Sequence, residues 1–158
     1  MTLCAEVFVL DRPRQRILLG RKKRGLGVGR YQGFGGKLEP GETLLRCAVR
    51  ELWEESRLEA QEHNLWYMAH LLFVFPGKPQ WSQEVHVFRL EHWEGEPQET
   101  EEMRPEWFDL KTLPLTQMWD DVKYWLPQAL EGARPKLRFV YTTDGQQVER
   151  VEKLVDPS

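Results

Sequence analysis

The stretch from Gly25 to Leu58 constrains this sequence most, because a turn rich in glycine leads directly into a segment rich in glutamate. Six of the twelve residues at 25–36 are glycine, a density that lets other groups approach the backbone closely. The turn contains Tyr31 and Phe34 but no serine, so we interpret it as an ordered loop rather than a flexible linker. Residues 43–58 contain neither proline nor glycine and are the best helix candidate.

This predicted helix has an acidic face and an apolar face. At 100° per residue, Glu51, Glu54 and Glu55 fall within about 100° of arc, and the apolar residues fall opposite. Glutamates four positions apart, such as Glu51 and Glu55, oppose helix formation by roughly 0.2–0.5 kcal/mol. A divalent cation removes this conflict, because Mg²⁺ prefers oxygen ligands. Glutamate is also common in helices, so the geometry alone leaves a metal site and a solvated face as equal alternatives.

The spacing of residues 36–58 resembles the Nudix signature, which combines a glycine turn with an acidic helix. The chain matches every fixed position of that pattern except one, at Arg57, where the signature has glycine. A glycine there ends the helix in the left-handed conformation, which another residue adopts at a cost of about 1 kcal/mol. The matching residues are Gly36, Glu42, Arg50, Glu51, Leu52, Glu54, Glu55 and Leu58.

Beyond this segment, the chain resembles the MutT-homologue branch of the Nudix hydrolases, whose members hydrolyse oxidised purine nucleoside triphosphates. The resemblance implies an α/β fold with a mixed β-sheet sandwiched between helices, in a single domain over residues 1–158. It also implies cleavage to a nucleoside monophosphate and pyrophosphate. The matching segments run in order along the chain and are 18–20, 22–25, 33–37, 85–88, 102–108, 118–119 and 124–125.

The resemblance assigns a metal role to the acidic helix. By resemblance to such enzymes, Glu51, Glu55 and the carbonyl of Gly36 of this chain are expected to hold Mg²⁺, with Mn²⁺ as the alternative ion and Glu54 close by. Arg50 orients these carboxylates. The bound metal neutralises the diphosphate and helps to position or activate a water for attack at phosphorus.

Charged residues outside the helix complete the implied reaction. The Glu-Met-Arg-Pro match assigns assistance of the attacking water to Glu102, with an exposed acid in an acidic run as the alternative. Lys22 and Lys37 add positive charge near the phosphates. Lys23 does the same or ends a solvated strand, and we weight these two interpretations equally.

Base recognition is where the chain departs from the resemblance. In the oxidised-purine branch, a loop Asn and two adjacent Asp residues after a Trp read the base. Gln32 occupies the loop position, and Asp120 and Asp121 come one position early, so that Val122 replaces the second Asp. The alternative is that both acids cap the following helix. Residues that we assign to a base pocket or, equally, to the core are Phe73, Met103, Trp119 and Trp125.

Bulk properties exclude some classes of protein. A net charge of −3 in 158 residues gives no basic field for a long nucleic acid. No stretch approaches the roughly 20 apolar residues of a membrane span, and no targeting signal is visible, so we expect a cytoplasmic protein. Cys4 and Cys47 lie among apolar neighbours and fit a reducing compartment. The expected partner is a small nucleotide, and a monomer is the default.

Two alternatives to the oxidised-purine substrate stay open. The first is a Nudix hydrolase of an unmodified nucleotide, a dinucleoside polyphosphate or ADP-ribose, which Gln32 and Val122 favour. The second is a module that has lost catalysis and binds nucleotides or RNA ends, against which the intact glutamates argue.

The predicted elements are strands at 5–10, 17–20, 71–75, 85–90 and around 107–108, helices at 43–58 and 120–130, and a hairpin of 136–142 and 147–153.

Overall fold

The computed structural model describes residues 1–155, and the last three residues of the predicted domain lie outside that range. Within residues 1–155 the chain forms nine strands, two α-helices and three short 3₁₀ turns. The strands are β1 (Thr2–Asp11), β2 (Arg16–Lys22), β3 (Tyr31–Gln32), β4 (Phe34–Lys37), β5 (Leu65–Val74), β6 (Gln83–Leu90), β7 (Met103–Asp109), β8 (Lys136–Tyr141) and β9 (Val148–Lys153). The helices are α1 (Leu44–Ser56) and α2 (Val122–Leu130).

All nine strands belong to one mixed sheet with the order β3-β2-β1-β6-β5-β8-β9, while β4 pairs with β1 and β7 with β2. β1 runs parallel to β6, and β5 parallel to β8, whereas the other pairings described are antiparallel. The predicted α/β class with a mixed sheet between helices is confirmed. β1 therefore lies inside the sheet and offers both of its faces to packing.

Each face of β1 contributes to a different hydrophobic core. Val7 and Val9 are fully buried in a cluster with Leu52 of α1. Phe8 belongs to the opposite cluster, where its ring packs edge-on against Trp125 of α2 with centroids 5.8 Å apart. Burial of each such side chain contributes roughly 1.5–3 kcal/mol. The alternation along β1 thus fixes one helix on each side of the sheet.

The largest differences from the sequence-based expectation lie at the glycine loop and at β5. Residues 31–37 form β3 and β4 rather than continuing the glycine loop, and β5 begins at Leu65, six residues before the predicted start. At β4, a Cβ on Gly35 would lie 2.0 Å from the carbonyl oxygen of Ala5. Only glycine permits this close pairing of β4 with β1. Glycine disfavours strands by propensity, but β4 requires it at position 35.

Helix α1 has well-defined ends. The Thr43 hydroxyl accepts a hydrogen bond from the Arg46 amide at 3.1 Å and caps the first turn. Arg57 ends the helix with φ at 66°, and its amide donates to the carbonyl of Trp53 at 2.9 Å. Arg57 thus adopts the left-handed conformation in which a glycine at this position of the signature would end the helix. No helix within residues 1–155 is long and apolar enough to cross a membrane.

Candidate active site

The acidic face of α1 lies against the glycine strand β4. The Gly35 amide donates a hydrogen bond to the Glu55 carboxylate at 2.8 Å. A Cβ on Gly36 would lie 2.7 Å from Oε1 of Glu51. Because glycine has no side chain, two carboxylates reach the backbone of β4 at adjacent residues.

Arg50 organises the carboxylates of α1. Its guanidinium donates to Glu51 at 2.8 Å and to Glu54 at 3.3 Å. It also donates twice to Glu42, at 2.6 and 2.7 Å, and to the carbonyl of Lys37 at 3.1 Å. These hydrogen bonds raise the pKa of Arg50 and lower that of Glu42 to about 2. Arg50 is therefore a fixed cation that links the helix to the end of β4.

Burial makes the two inner carboxylates hard to ionise. Desolvation raises the pKa of Glu55 to about 8, with the charge of Glu51 adding to the shift and the Gly35 amide opposing it. Desolvation also raises the pKa of Glu51. Glu54 differs, since its side chain is 46% exposed and contacts Arg50 rather than β4. Of the three predicted glutamates, the fold brings Glu51 and Glu55 to the glycine strand and leaves Glu54 at the rim.

The donor set at this junction fits a hard divalent cation. Carboxylate oxygens of Glu55 and Glu51 lie beside Gly35 and Gly36, and the carbonyl of Gly36 also accepts from the thiol of Cys47 at 3.4 Å. A carbonyl oxygen has a second lone pair, so that contact leaves it able to coordinate a metal. Oxygen ligands of this kind suit Mg²⁺ or Mn²⁺.

Glu102 lies near this site but is held by a different partner. Arg24 donates a hydrogen bond to the Glu102 carboxylate at 2.6 Å, and the side chain of Glu102 is 40% exposed. Thr100 ties the segment to α1, because its hydroxyl donates to the carbonyl of Glu55 at 3.0 Å and accepts from the Glu102 amide at 3.3 Å. The negative charge of Glu102 contributes to the raised pKa of Glu55. Its assistance of the attacking water stays a prediction.

A cavity of about 370 Å³ opens on the α2 side of β1 and reaches β4 at Gly35, Gly36 and Lys37. Its volume is in the range of small-molecule sites. The acidic helix and the cavity therefore meet at the same two glycines. The predicted binding residues that line the cavity are Lys22, Gln32, Lys37, Phe73, Trp119, Asp121 and Trp125.

Two predicted binding residues lie elsewhere. Met103 is fully buried in the core on the α1 side, where a Cβ on Gly20 would lie 2.9 Å from its sulfur. Its position on β7 directs it to the other face of the sheet from the cavity. Asp120 accepts a hydrogen bond from the Val148 amide at 2.7 Å and pairs with Lys123 at 3.0 Å, so it anchors the C-terminal hairpin.

Lys23 likewise does not line the cavity. Its ammonium group donates to Glu99 at 2.7 Å and to the carbonyl of Thr100 at 2.8 Å. Of the two interpretations, the structure places it at a strand end, tied to the loop that precedes β7.

Asp121 is a buried carboxyl at the far end of the cavity. It accepts hydrogen bonds from Trp125 Nε1 at 2.8 Å and from the hydroxyl of Tyr141. Burial raises its pKa to about 6, although both donors oppose the shift. Asp121 precedes α2 but makes no side-chain capping bond, and Val122 lines the cavity next to it. The side chain of Asp121 therefore does not cap α2, and its role in binding the base stays a prediction.

Sequence reasoning missed Glu6, a second carboxyl in the cavity. It accepts a hydrogen bond from the Gly33 amide at 3.1 Å. Burial raises its pKa to about 7, and the charge of Asp121 adds to the shift. The signal was present, because an acid within the apolar strand β1 shares a face with Cys4 and Phe8 and must be buried with them.

Aromatic side chains form one wall of the cavity. The Trp119 ring lies 5.8 Å from Phe75 and 5.9 Å from Tyr141, with Arg30 over its face at 4.2 Å. A Cβ on Gly27, whose φ is +81°, would lie 2.9 Å from the indole nitrogen of Trp119. The glycine loop thus closes over this ring and leaves a flat surface suited to stacking against a base.

Comparisons with known proteins agree on the family. The NUDIX domain model matches residues 2–129. The oxidized purine nucleoside triphosphate hydrolase of Mus musculus is 48% identical over 124 residues, which cover 78% of each protein. Its Danio rerio namesake is 46% identical over 119 residues, covering 75% of this chain and 74% of that relative. A mutator MutT protein from Bacillus halodurans has the same fold, with a TM-score of 0.79 at 23% identity over 99% of this chain and 100% of that one.

Proposed function

The chain belongs to the NUDIX domain family, and on that basis we propose that it is a Mg²⁺-dependent hydrolase of oxidised purine nucleoside triphosphates. The products are a nucleoside monophosphate and pyrophosphate. The substrate class follows from the activity for which the two vertebrate relatives are named. A cytoplasmic location fits a nucleotide substrate and belongs to the same proposal.

One observation carries this proposal: the carboxylate face of α1 and a cavity of about 370 Å³ meet at Gly35 and Gly36. A nucleoside in the cavity would direct its phosphates towards this junction. Lys22 and Lys37 line the cavity at the same end. The cavity combines aromatic side chains with the carboxyls of Glu6 and Asp121, and it has two lysines where it reaches β4, a combination that suits a nucleoside triphosphate.

The chain's own residues divide the work of the reaction. Glu51, Glu55 and the carbonyl of Gly36 would hold Mg²⁺, which neutralises the phosphates and lowers the pKa of water when bound. Arg50 fixes the orientation of Glu51 through the 2.8 Å hydrogen bond. Glu54 and Glu102 are the proposed acceptors of the proton from the attacking water.

The base is recognised by two carboxyl groups that come from different elements. Asp121 before α2 and Glu6 on β1 both line the cavity, and the charge of one opposes ionisation of the other. When two such groups share one proton, the pair offers a donor and an acceptor together. That combination matches the donor and acceptor edge of a purine. Glu6 thus supplies a second acid where Val122 replaces one, and Gln32 adds an amide.

The direct test of activity is a Mg²⁺-dependent hydrolysis panel. It compares oxidised and ordinary purine triphosphates, ADP-ribose and a dinucleoside tetraphosphate. We expect the oxidised purine triphosphates to be the best substrates and Glu55→Gln to lose at least about 100-fold in kcat/KM. Glu149→Gln, at an exposed position of β9, is the matched control and should retain the wild-type rate. Full activity of Glu55→Gln would disprove the catalytic assignment, and a preference for ADP-ribose would disprove the substrate.

Base recognition is tested separately by the ratio of kcat/KM for oxidised and ordinary purine triphosphates. Glu6→Gln removes an ionisable group but keeps the shape of the side chain, so we expect the ratio to change about tenfold. The double variant Gln32→Asn, Val122→Asp should also change the ranking of substrates. An unchanged ratio in Glu6→Gln would remove Glu6 from base recognition and leave the catalytic proposal intact.

A further inference from the structure

Strands β5 and β6 carry a cluster of three potential metal ligands that the proposed reaction does not use. His70 and His86 are direct partners in the antiparallel pairing, and Glu84 lies two residues before His86. The Glu84 carboxylate is 2.7 Å from Nε2 of His70 and 3.3 Å from Nε2 of His86. Residues two apart on a strand share a face, so all three side chains project from the same side of the sheet.

That side is open to solvent. The side chains of His70, Glu84 and His86 are 25%, 37% and 16% exposed. Their neighbours along the strands, such as Leu71 and Val85, point the other way into the core that packs on α2. An ion can therefore reach the cluster without opening the fold.

The three ligand atoms form a triangle of the size that a small cation needs. They all lie within 4.8 Å of one another. In a tetrahedral zinc site with ligands at about 2.1 Å, neighbouring ligand atoms are about 3.4 Å apart. The 2.7 and 3.3 Å separations at Glu84 need to widen by less than 1 Å, which small rotations of these partly exposed side chains supply. The two imidazole rings are stacked at 14°, with centroids 4.3 Å apart, so binding one ion requires one ring to turn until both nitrogen lone pairs converge on it.

The surroundings of His86 support coordination through Nε2. The hydroxyl of Tyr67 lies 2.9 Å from Nδ1 of His86. Metal-binding histidines commonly have such a partner on the second ring nitrogen, which fixes the ring and the tautomer. Burial and the neighbouring His70 lower the pKa of His86, and the neutral imidazole is the form that binds metal.

We propose that His70, Glu84 and His86 form a Zn²⁺ site on the face of β5 and β6 that packs away from α2, with a fourth position open to water. Two imidazoles and one carboxylate favour zinc over the hard ion Mg²⁺. The site is independent of the proposed hydrolase activity, because none of its ligands lines the cavity. A cation there would join the two strands and stabilise the fold.

Isothermal titration of the full chain with Zn²⁺, without a polyhistidine tag and with excess Mg²⁺ present, tests this site. We expect one Zn²⁺ per chain in the wild type. His70→Asn and His86→Asn should each weaken binding more than about 100-fold, and Tyr67→Phe about tenfold. His92→Asn changes an exposed histidine outside the cluster and is the matched control.

Two further results decide where Zn²⁺ binds. Glu55→Gln should keep wild-type affinity, because the acidic helix is not part of the site. Zn²⁺ should also raise the Tm of the wild type and of His92→Asn but not that of His86→Asn. Binding that persists in both cluster variants, or that disappears only in Glu55→Gln, would overturn the proposal. Absence of stoichiometric binding by a folded wild-type chain would overturn it as well.

Discussion

Gly36 matters because of what a side chain at this position would displace. A Cβ there would lie 2.7 and 2.9 Å from the two carboxylate oxygens of Glu51, closer than real contacts allow. The backbone of Gly36 does not have a positive φ, so alanine is conformationally permitted. A substitution at this position therefore acts on the carboxylate rather than on the backbone.

We accordingly predict that Gly36→Ala lowers kcat/KM at least about 100-fold while the free energy of unfolding falls by less than about 2 kcal/mol. The methyl group forces Glu51 to turn away from β4, which disrupts the metal ligands. Steady-state hydrolysis and urea denaturation of the same preparation measure the two effects. Glu51→Gln is the comparison, since it removes the charge without adding a methyl group. A Gly36→Ala variant that is unfolded, or as active as the wild type, would contradict this account.

Sequence spacing alone grouped candidate residues correctly in space where a single element held them together. The spacing along one helix is enough to group Glu51 with Glu55, because helix periodicity is fixed. It is not enough for Met103, which lies in the core, or for Asp120, which anchors the hairpin. Glu6 was missed because its partner Asp121 is more than a hundred residues away, and only the folded sheet brings the two into one cavity.

Among the elements, α1 could be predicted best because its signals are local. Its cap at Thr43 and its exit at Arg57 both lie within a few residues of the helix. The strand β4 could not be predicted, since its glycine residues disfavour strands unless another backbone approaches them closely. That backbone is β1, which is nearly thirty residues away in sequence.

The exit of α1 gives a prediction about stability. Arg57 adopts a left-handed conformation, with φ at 66°, but its guanidinium lies over the Trp53 ring at 4.3 Å. The conformation costs about 1–2 kcal/mol, and an exposed cation–π contact returns about 0.5–1 kcal/mol. Arg57→Gly should therefore raise the free energy of unfolding by up to about 1 kcal/mol, whereas Arg57→Ala should lower it.

Urea denaturation of the wild type and both variants measures whether the free energy of unfolding rises or falls in each. Activity should stay at the wild-type level in each, because Arg57 lies beyond the carboxylate face. If Arg57→Gly is less stable than the wild type, the ring contact outweighs the backbone strain, and the account of this helix exit is wrong.

The molecule as a whole places its candidate site where its two cores meet. β1 contributes Val7 to the core under α1 and Phe8 to the core under α2, while Glu6, on the same face as Phe8, lines the cavity. The sheet alternation that could be predicted from the apolar run of β1 thus positions both cores. The same alternation turns the carboxyl of Glu6 into the cavity that Asp121 also lines. Removing these two polar groups from water lowers the free energy of unfolding.

This burial makes the stability of the whole fold depend on pH. The pKa of Asp121 rises from 3.8 to about 6 because of burial, so between these values the folded chain holds a proton that the unfolded chain has released. Stability linked to this group is fully present below pH 4 and is lost as pH rises through about 6. A shift of this size corresponds to about 2–3 kcal/mol.

Asp121→Asn removes the titrating group and keeps an oxygen acceptor for Trp125 and Tyr141. We therefore predict that the difference in unfolding free energy, variant minus wild type, becomes more positive by about 2–3 kcal/mol between pH 4 and pH 7. Urea denaturation of both proteins across this pH range measures the difference. Asp144→Asn is the control, because hydrogen bonding at this exposed turn lowers the pKa of the Asp144 carboxyl. Its difference from the wild type in unfolding free energy should change with the opposite sign. A constant difference for Asp121→Asn would mean that Asp121 is ionised in the fold throughout, and the shared proton proposed for base recognition would then have to reside on Glu6.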